Sequence, residues 1–159
     1  MRKKSAPNPN LSWSEAVDEA LCFGWIDSTK KTLDAESFIQ FFSKRKPKST
    51  WSKVNKDKVQ ILSEKALIVE AGLRAIVVAK ENGSWSILDD VEKGLIPTDL
   101  ETAFEANSGS KDFFLGLSRS KRKSMLYWIQ MAKRAETRQK RVNEVAIAAS
   151  NGKTVSPFI

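Results

Sequence analysis

Residues 36–56 read ESFIQFFSKRKPKSTWSKVNK, and the change of pattern inside them decides the fold. In ESFIQFF, Phe38, Gln40 and Phe42 alternate with Ile39 and Phe41, the period of a strand whose side chains point to opposite faces. Pro47 breaks that strand, because it has no N–H to give to a ladder. Ser52 then reads as a helix N-cap, its hydroxyl oxygen placed to accept a backbone N–H of the first turn. A strand therefore gives way to a helix across a short connection. Six basic residues and no acidic one stand between Lys44 and Lys56. The charges line the connection, and Trp51 is expected to turn inward and seal the core where strand meets helix.

Toward the N-terminus, WIDSTKKTL (25–33) reads as the partner strand of a hairpin around DAE (34–36). Before it, LSWSEAVDEALCFGW opens with Ser12 and Glu15 at capping-box spacing. Ala16, Val17, Ala20 and Leu21 recur at helical spacing, and Gly24 can end that helix. Toward the C-terminus, the helix begun at Ser52 runs to about Ala66, with Val54, Ile61, Leu62 and Ala66 inward. A further helix near 70–81 buries Leu73, Ile76 and Val77 and stops at Asn82-Gly83. SWSILDDVEKGLIP (84–97) reads as irregular, laid over the core by Trp85, Ile87 and Leu88. Helices follow to the end: one starting with a capping box from Thr98 to Glu101, and a short one presenting Phe113, Phe114 and Leu117. The next is capped by Ser118, with Met125, Trp128, Ile129 and Ala132 on one face. The last turns Val142, Val145, Ala146 and Ala149 inward. The fold class is α+β, a small antiparallel sheet in the N-terminal third followed by a predominantly helical bundle. Four regions are expected: a flexible or truncated N-terminus (1–10), a small α/β portion (11–66), a helical region packed on it (67–152) and a tail (153–159).

The chain of 159 residues has no histidine and one cysteine. That removes Ser-His-Asp and Cys-His catalysis and leaves no ordinary zinc site. General acid–base work would fall to Asp, Glu, Lys or Tyr127, no phosphate-binding glycine motif is present, and no cofactor is expected. Cys22, in EALCFGW, reads as a small buried hydrophobe, with a reactive thiol as the alternative. No apolar stretch follows the basic start MRKKSAPNPN as a secretory signal requires, and none approaches the roughly 20 residues that span a bilayer. The cytoplasm is the expected compartment. A net charge of +8 favours anionic partners.

Four fragments, EALCFGWID, RKPKSTWSKVN, FFLGLSRSKRKSMLYWI and AKRAETRQKRV, together resemble the bacterial YdeI/OmpD-associated family, also called bacteriocin-protection proteins. The resemblance runs over roughly residues 11–150. It implies a cytosolic bacterial protein with an N-terminal α/β portion, a helical C-terminal region, a link to resistance or stress protection, and no recognised catalytic set. Family members carry a longer segment before the LSWSEAV helix. If that segment supplies a strand, the apolar ESFIQFF strand is left with an adhesive edge, and self-association or cover by residues 1–10 is expected.

Two groups of residues are candidates for binding. In the first, Trp25 is a core residue and Asp27 caps a turn, or Asp27 is a polar group at a pocket mouth. Lys46, Ser49, Ser52 and Asn55 serve the helix start, or they surround a helix N-terminus that takes an anion. In the second, Arg119, Lys121, Arg122 and Lys123 stand at the start of one helix, where cations oppose the helix dipole. Lys133, Arg134, Arg138, Lys140 and Arg141 follow. These nine are a solvated face or a continuous surface for nucleic acid or another polyanion. The readings that remain are a non-enzymatic binding or stress-protection protein, a nucleic-acid-binding module, and an enzyme on an anionic small molecule with Asp27 as its acid.

Overall fold

The structure, a computed structural model, describes residues 11–155. The expectations for residues 1–10 and for the tail beyond 155 lie outside the described residues. The chain divides into two compact units, one ending at Ser86 and one beginning at Ile87. The α+β reading holds: a two-stranded antiparallel sheet precedes a series of helices.

In the first unit, α1 (Trp13–Cys22) starts at the expected capping box. The Ser12 hydroxyl oxygen accepts from the Glu15 N–H at 3.2 Å, and the Glu15 carboxylate accepts from the Ser12 N–H at 2.8 Å. Gly24, at φ +73°, turns the chain out of the helix into β1 (Trp25–Thr32), which pairs with β2 (Phe38–Lys44). The hairpin turn is held by Asp34, whose carboxylate accepts from the N–H groups of Glu36 and Ser37 at 2.8 and 2.7 Å. The register slips between Asp27 and Lys30, where β1 carries one more residue than its partner. Phe38 is buried and Phe42 half-buried, whereas Ile39 and Phe41 face outward. Among the described residues no third strand pairs with either outer edge.

Ser52 caps α2 (Lys53–Glu64), accepting from the Asn55 N–H at 3.3 Å. The inward face of α2 is Val59 and Leu62, not the expected Val54, Ile61 and Ala66, which are exposed. At 100° per residue Val54 and Ile61 lie roughly a quarter-turn or more from Val59 and Leu62. The chosen face is the one that meets α1, where Lys58 pairs with Asp18 and donates to the Ser14 hydroxyl. The bounds of α3 (Glu70–Glu81) are as read from the sequence, but Leu73 and Val77 are exposed and Gly72, Ile76 and Ala79 are buried. The cause is close backbone approach. A Cβ on Gly72 would stand 2.3 Å from the Cys22 carbonyl oxygen, and that oxygen accepts from the Val69 N–H at 3.1 Å. The small-residue face meets α1, so the larger aliphatics turn outward.

The second unit contains a helix where an irregular segment was expected: α4 (Asp89–Lys93), ended by Gly94 at φ +77°. Leu88 and Val91 are buried there, while Ile87 is exposed. In α5 (Thr98–Glu105) Pro97 is the N-cap and the capping box does not form. Thr98 is already helical, and the Glu101 carboxylate is drawn to Lys111 at 2.6 Å. Next come α6 (Ser110–Gly116), α7 (Arg119–Gln130) capped by Ser118, and α8 (Ala135–Ser150). Phe114, Met125, Ile129, Val142, Val145, Ala146 and Ala149 enter one core as expected. The rings of Phe104 and Phe114 meet at 5.2 Å between centroids. Each fully buried aliphatic or Phe side chain of this kind contributes roughly 1.5–3 kcal/mol.

A basic recess in the first unit as the candidate site

The recess is built by the meeting of α1, the end of β2 and α3. Gly24 makes the approach: a Cβ there would stand 2.9 Å from the Ala71 carbonyl oxygen and 3.1 Å from the Ala75 Cβ. The Gly24 carbonyl accepts from the Arg45 N–H at 3.0 Å, which fastens the end of β2 against the turn after α1. The connection 45–50 is fastened from the other side. The Pro47 carbonyl accepts from Asn82 Nδ2 at 2.8 Å and from Ser84 Oγ at 3.2 Å, at the C-terminal end of α3. Between these anchors lies a recess of about 280 Å³, whose charged lining among the described residues is Lys44, Arg45, Lys46 and Arg74, the last paired with Glu70 one turn earlier on α3.

Arg45 is the unusual member. It is only 6% exposed, and its guanidinium lies over the Trp51 ring, 3.7 Å from the centroid. Nη1 donates to the Thr50 carbonyl at 2.9 Å, while Nε and Nη2 are buried without an acceptor among the described residues. Burial, opposed by the charge of Asp27, lowers the guanidinium to about 10, well below the usual arginine range. Trp51 is 1% exposed, as its inward reading required, and its ring contacts Trp85 at 4.9 Å between centroids. Its Nε1 is a third buried donor without an acceptor among the described residues.

The remaining candidates of the first group are dispersed. Lys46 lines the recess. The Ser49 hydroxyl donates to the Lys46 carbonyl, and Ser52 and Asn55 form the cap of α2. Asp27 is half-buried on β1 opposite Phe42 and accepts from Trp13 Nε1 at 3.2 Å. Trp25, 43% exposed, belongs to a separate, larger groove of about 770 Å³, with Glu15, Glu19, Phe23, Gln40 and Phe42 in its lining. Phe23 lines both cavities. Cys22 is buried, and burial raises its thiol, reinforced by Glu19 and Asp18. A thiol so placed is a poor nucleophile at neutral pH. Sequence reasoning missed Lys44, Arg45 and Arg74. None has a local signal, since Lys44 and Arg45 are two of six cations in a basic run and Arg74 joins them from α3.

In the second unit the basic residues separate into two sets. Arg138 holds Asp99 with two bonds, Nε to Oδ2 at 2.6 Å and Nη2 to Oδ1 at 3.1 Å, and gives Nη1 to Gln130. Arg141 donates to the Trp128 carbonyl and stands 5.0 Å from that ring. Arg122 and Arg119 donate to the carbonyls of Leu115 and Glu92, near the C-terminal ends of α6 and α4, and Lys123 pairs with the Glu92 carboxylate. Cations that oppose the dipole of α7 thus complement the ends of two other helices. Lys121, Lys133, Arg134 and Lys140 are exposed and their side chains have no partner among the described residues.

Two family models match the chain. Residues 1–75 match the model described as Domain of unknown function (DUF8412), and residues 95–152 match Bacteriocin-protection, YdeI or OmpD-Associated. No curated protein and no solved structure matches. EALCFGWID and RKPKSTWSKVN fall in the first match; FFLGLSRSKRKSMLYWI and AKRAETRQKRV fall in the second. The recess therefore lies in the part matched by the model of unknown function. Over residues 95–152 the chain is similar to the Bacteriocin-protection, YdeI or OmpD-Associated family.

Proposed function

We propose that this is a non-enzymatic, cytosolic bacterial binding protein with a protective role under stress, and that its first unit holds a small anionic ligand. The recess carries the proposal. Lys44, Arg45, Lys46 and Arg74 line it without an acidic residue among the described residues; Arg74 is paired with Glu70 on the exposed side of α3, and Arg45 is buried. Electrostatic focusing in a concave, low-dielectric wall concentrates anions there. The description of the family model over residues 95–152 supports the protective role. A thermal-shift screen of the whole chain against anionic, neutral and cationic metabolites at matched ionic strength tests the reading. Anionic compounds are expected to raise the melting temperature, because a ligand that binds only the folded state stabilises it. A response no greater for anions than for the other compounds would sink it. Recovery of the protein from the membrane or periplasmic fraction of cells would overturn the cytosolic placement.

A second reading, a nucleic-acid-binding module, draws on the exposed side chains of Lys121, Lys133, Arg134 and Lys140. Mobility shifts with mixed DNA and RNA oligonucleotides across a salt series test it. Binding by phosphate contacts weakens steeply with salt, and the absence of any shift at low salt removes this reading.

A further inference from the structure

We propose that the Nε–Nη2 edge of Arg45 is a receptor for an oxyanion that presents two oxygens side by side, a carboxylate or a phosphate. The proposal rests on the reading of the recess as an anion site and names the atoms and the ligand chemistry.

The chain contains its own comparison. Arg138 uses Nε and Nη2 for the two oxygens of Asp99, and its Nη1 for a neutral acceptor, Gln130. Arg45 likewise gives Nη1 to a neutral acceptor, the Thr50 carbonyl. Its Nε and Nη2, the same pair that forms the fork at Arg138, have no acceptor among the described residues. The two arginines differ by the absence of a carboxylate at Arg45. A planar fork of parallel N–H groups matches carboxylate and phosphate geometry, and such charge-assisted pairs are stronger than neutral bonds.

Stacking on Trp51 accounts for where the guanidinium lies but not for the empty edge. A cation over a ring still has its in-plane donors to satisfy, and buried donors in native proteins are nearly always paired. Asp27 does not fill the role, since it acts on Arg45 through its charge and accepts its hydrogen bond from Trp13. A methionine or leucine would fill the same space with no donors to satisfy. Arg45 itself lines the recess, while its Nε and Nη2 are buried. An anion in the recess engages that edge when the Arg45 side chain turns toward it, with Lys44 and Lys46 supplying further charge and Arg74 held by Glu70.

The test uses the whole chain, with acetate and inorganic phosphate as separate probes and chloride at equal ionic strength as the reference. The arginine Nε–H resonances are followed by NMR, and affinities by calorimetry. Arg45→Lys identifies the Arg45 Nε–H signal by its loss, keeps the positive charge, and removes the fork. The expected result is that one probe shifts the Arg45 Nε–H signal and that Arg45→Lys weakens that probe by about tenfold or more, the scale of a charge-assisted hydrogen bond. Whether acetate or phosphate does so decides the source of the two oxygens. If a probe binds, shifts other signals and keeps its affinity in Arg45→Lys, the fork is not the receptor while the recess remains an anion site. If neither probe binds, both this assignment and the anion-site reading fall. Should Arg45→Lys fail to fold, the Arg45 Nε–H signal is assigned through its bonded side-chain carbons and Lys46→Ala serves with the NMR readout: the Arg45 Nε–H shift is expected to persist at weaker affinity, and its absence at saturation overturns the proposal.

Discussion

The guanidinium of Arg45 rests on the ring of Trp51 at 3.7 Å from its centroid, and both side chains are buried. The tryptophan is thus a core residue on one face and the floor of a cation site on the other. Three buried donors, Arg45 Nε and Nη2 and Trp51 Nε1, meet at this junction of strand and helix without an acceptor among the described residues. A site carrying such a deficit is one where stability and function can be separated by mutation.

Trp51→Ala is expected to cost roughly 3–5 kcal/mol, as for other large core aromatics. The ring is 1% exposed and supports Trp85 as well as Arg45. Urea unfolding measures the loss, and a change under about 1 kcal/mol would show that the site collapses around the cavity far better than cores normally do.

Arg45→Met is expected to leave stability unchanged or to raise it by about 1 kcal/mol, while it removes anion binding. Replacing a poorly compensated buried charge with an apolar side chain of similar shape is often neutral or stabilising. The pH dependence carries the same sign. Burial lowers the folded-state value to about 10, so the penalty is fully present below that pH and eases only as pH rises toward the ordinary value. A loss above about 2 kcal/mol in Arg45→Met would mean that the stack and the Thr50 bond outweigh desolvation.

Gly72→Ala is expected to destabilise by roughly 1–3 kcal/mol, the cost of overpacking. An exposed helical glycine would respond in the opposite direction, gaining up to about 1 kcal/mol from propensity. Here the new methyl would stand 2.3 Å from the Cys22 carbonyl oxygen and 2.7 Å from Ile68 Cγ2. Thermal unfolding separates the two outcomes by sign.

In the second unit, alanine at Arg138 is expected to cost about 1–2 kcal/mol, because it leaves Asp99 without its two-bond partner. Alanine at Lys121, Lys133, Arg134 or Lys140 is expected to stay within about 0.5 kcal/mol, as surface changes do. Equilibrium unfolding of the five variants checks the division. Comparable losses in both sets would show that the exposed cations are structural too.

Local chemistry settled much of this fold. The caps at Ser12, Ser52 and Ser118, the hairpin around Asp34 and the inward face of α8 all follow from hydrogen bonds or periodicity that span a few residues. The inward turn of Trp51 follows as well, since a large ring between a strand and a capped helix has its greatest gain in the core. The faces of α2 and α3 did not follow. Their apolar residues are spread too widely around the helix; on α3 the face that wins is the one where Gly72 allows close approach, and on α2 the one that meets α1. The site was out of reach for a related reason. Lys44, Arg45 and Lys46 are consecutive cations with the same local prospects, and the distant Gly24 carbonyl, the Trp51 ring and the Thr50 carbonyl hold Arg45 inside. Arg74 joins them from another helix. A periodic pattern reports which side chains avoid water, but the burial of a charge depends on partners brought up by the rest of the chain.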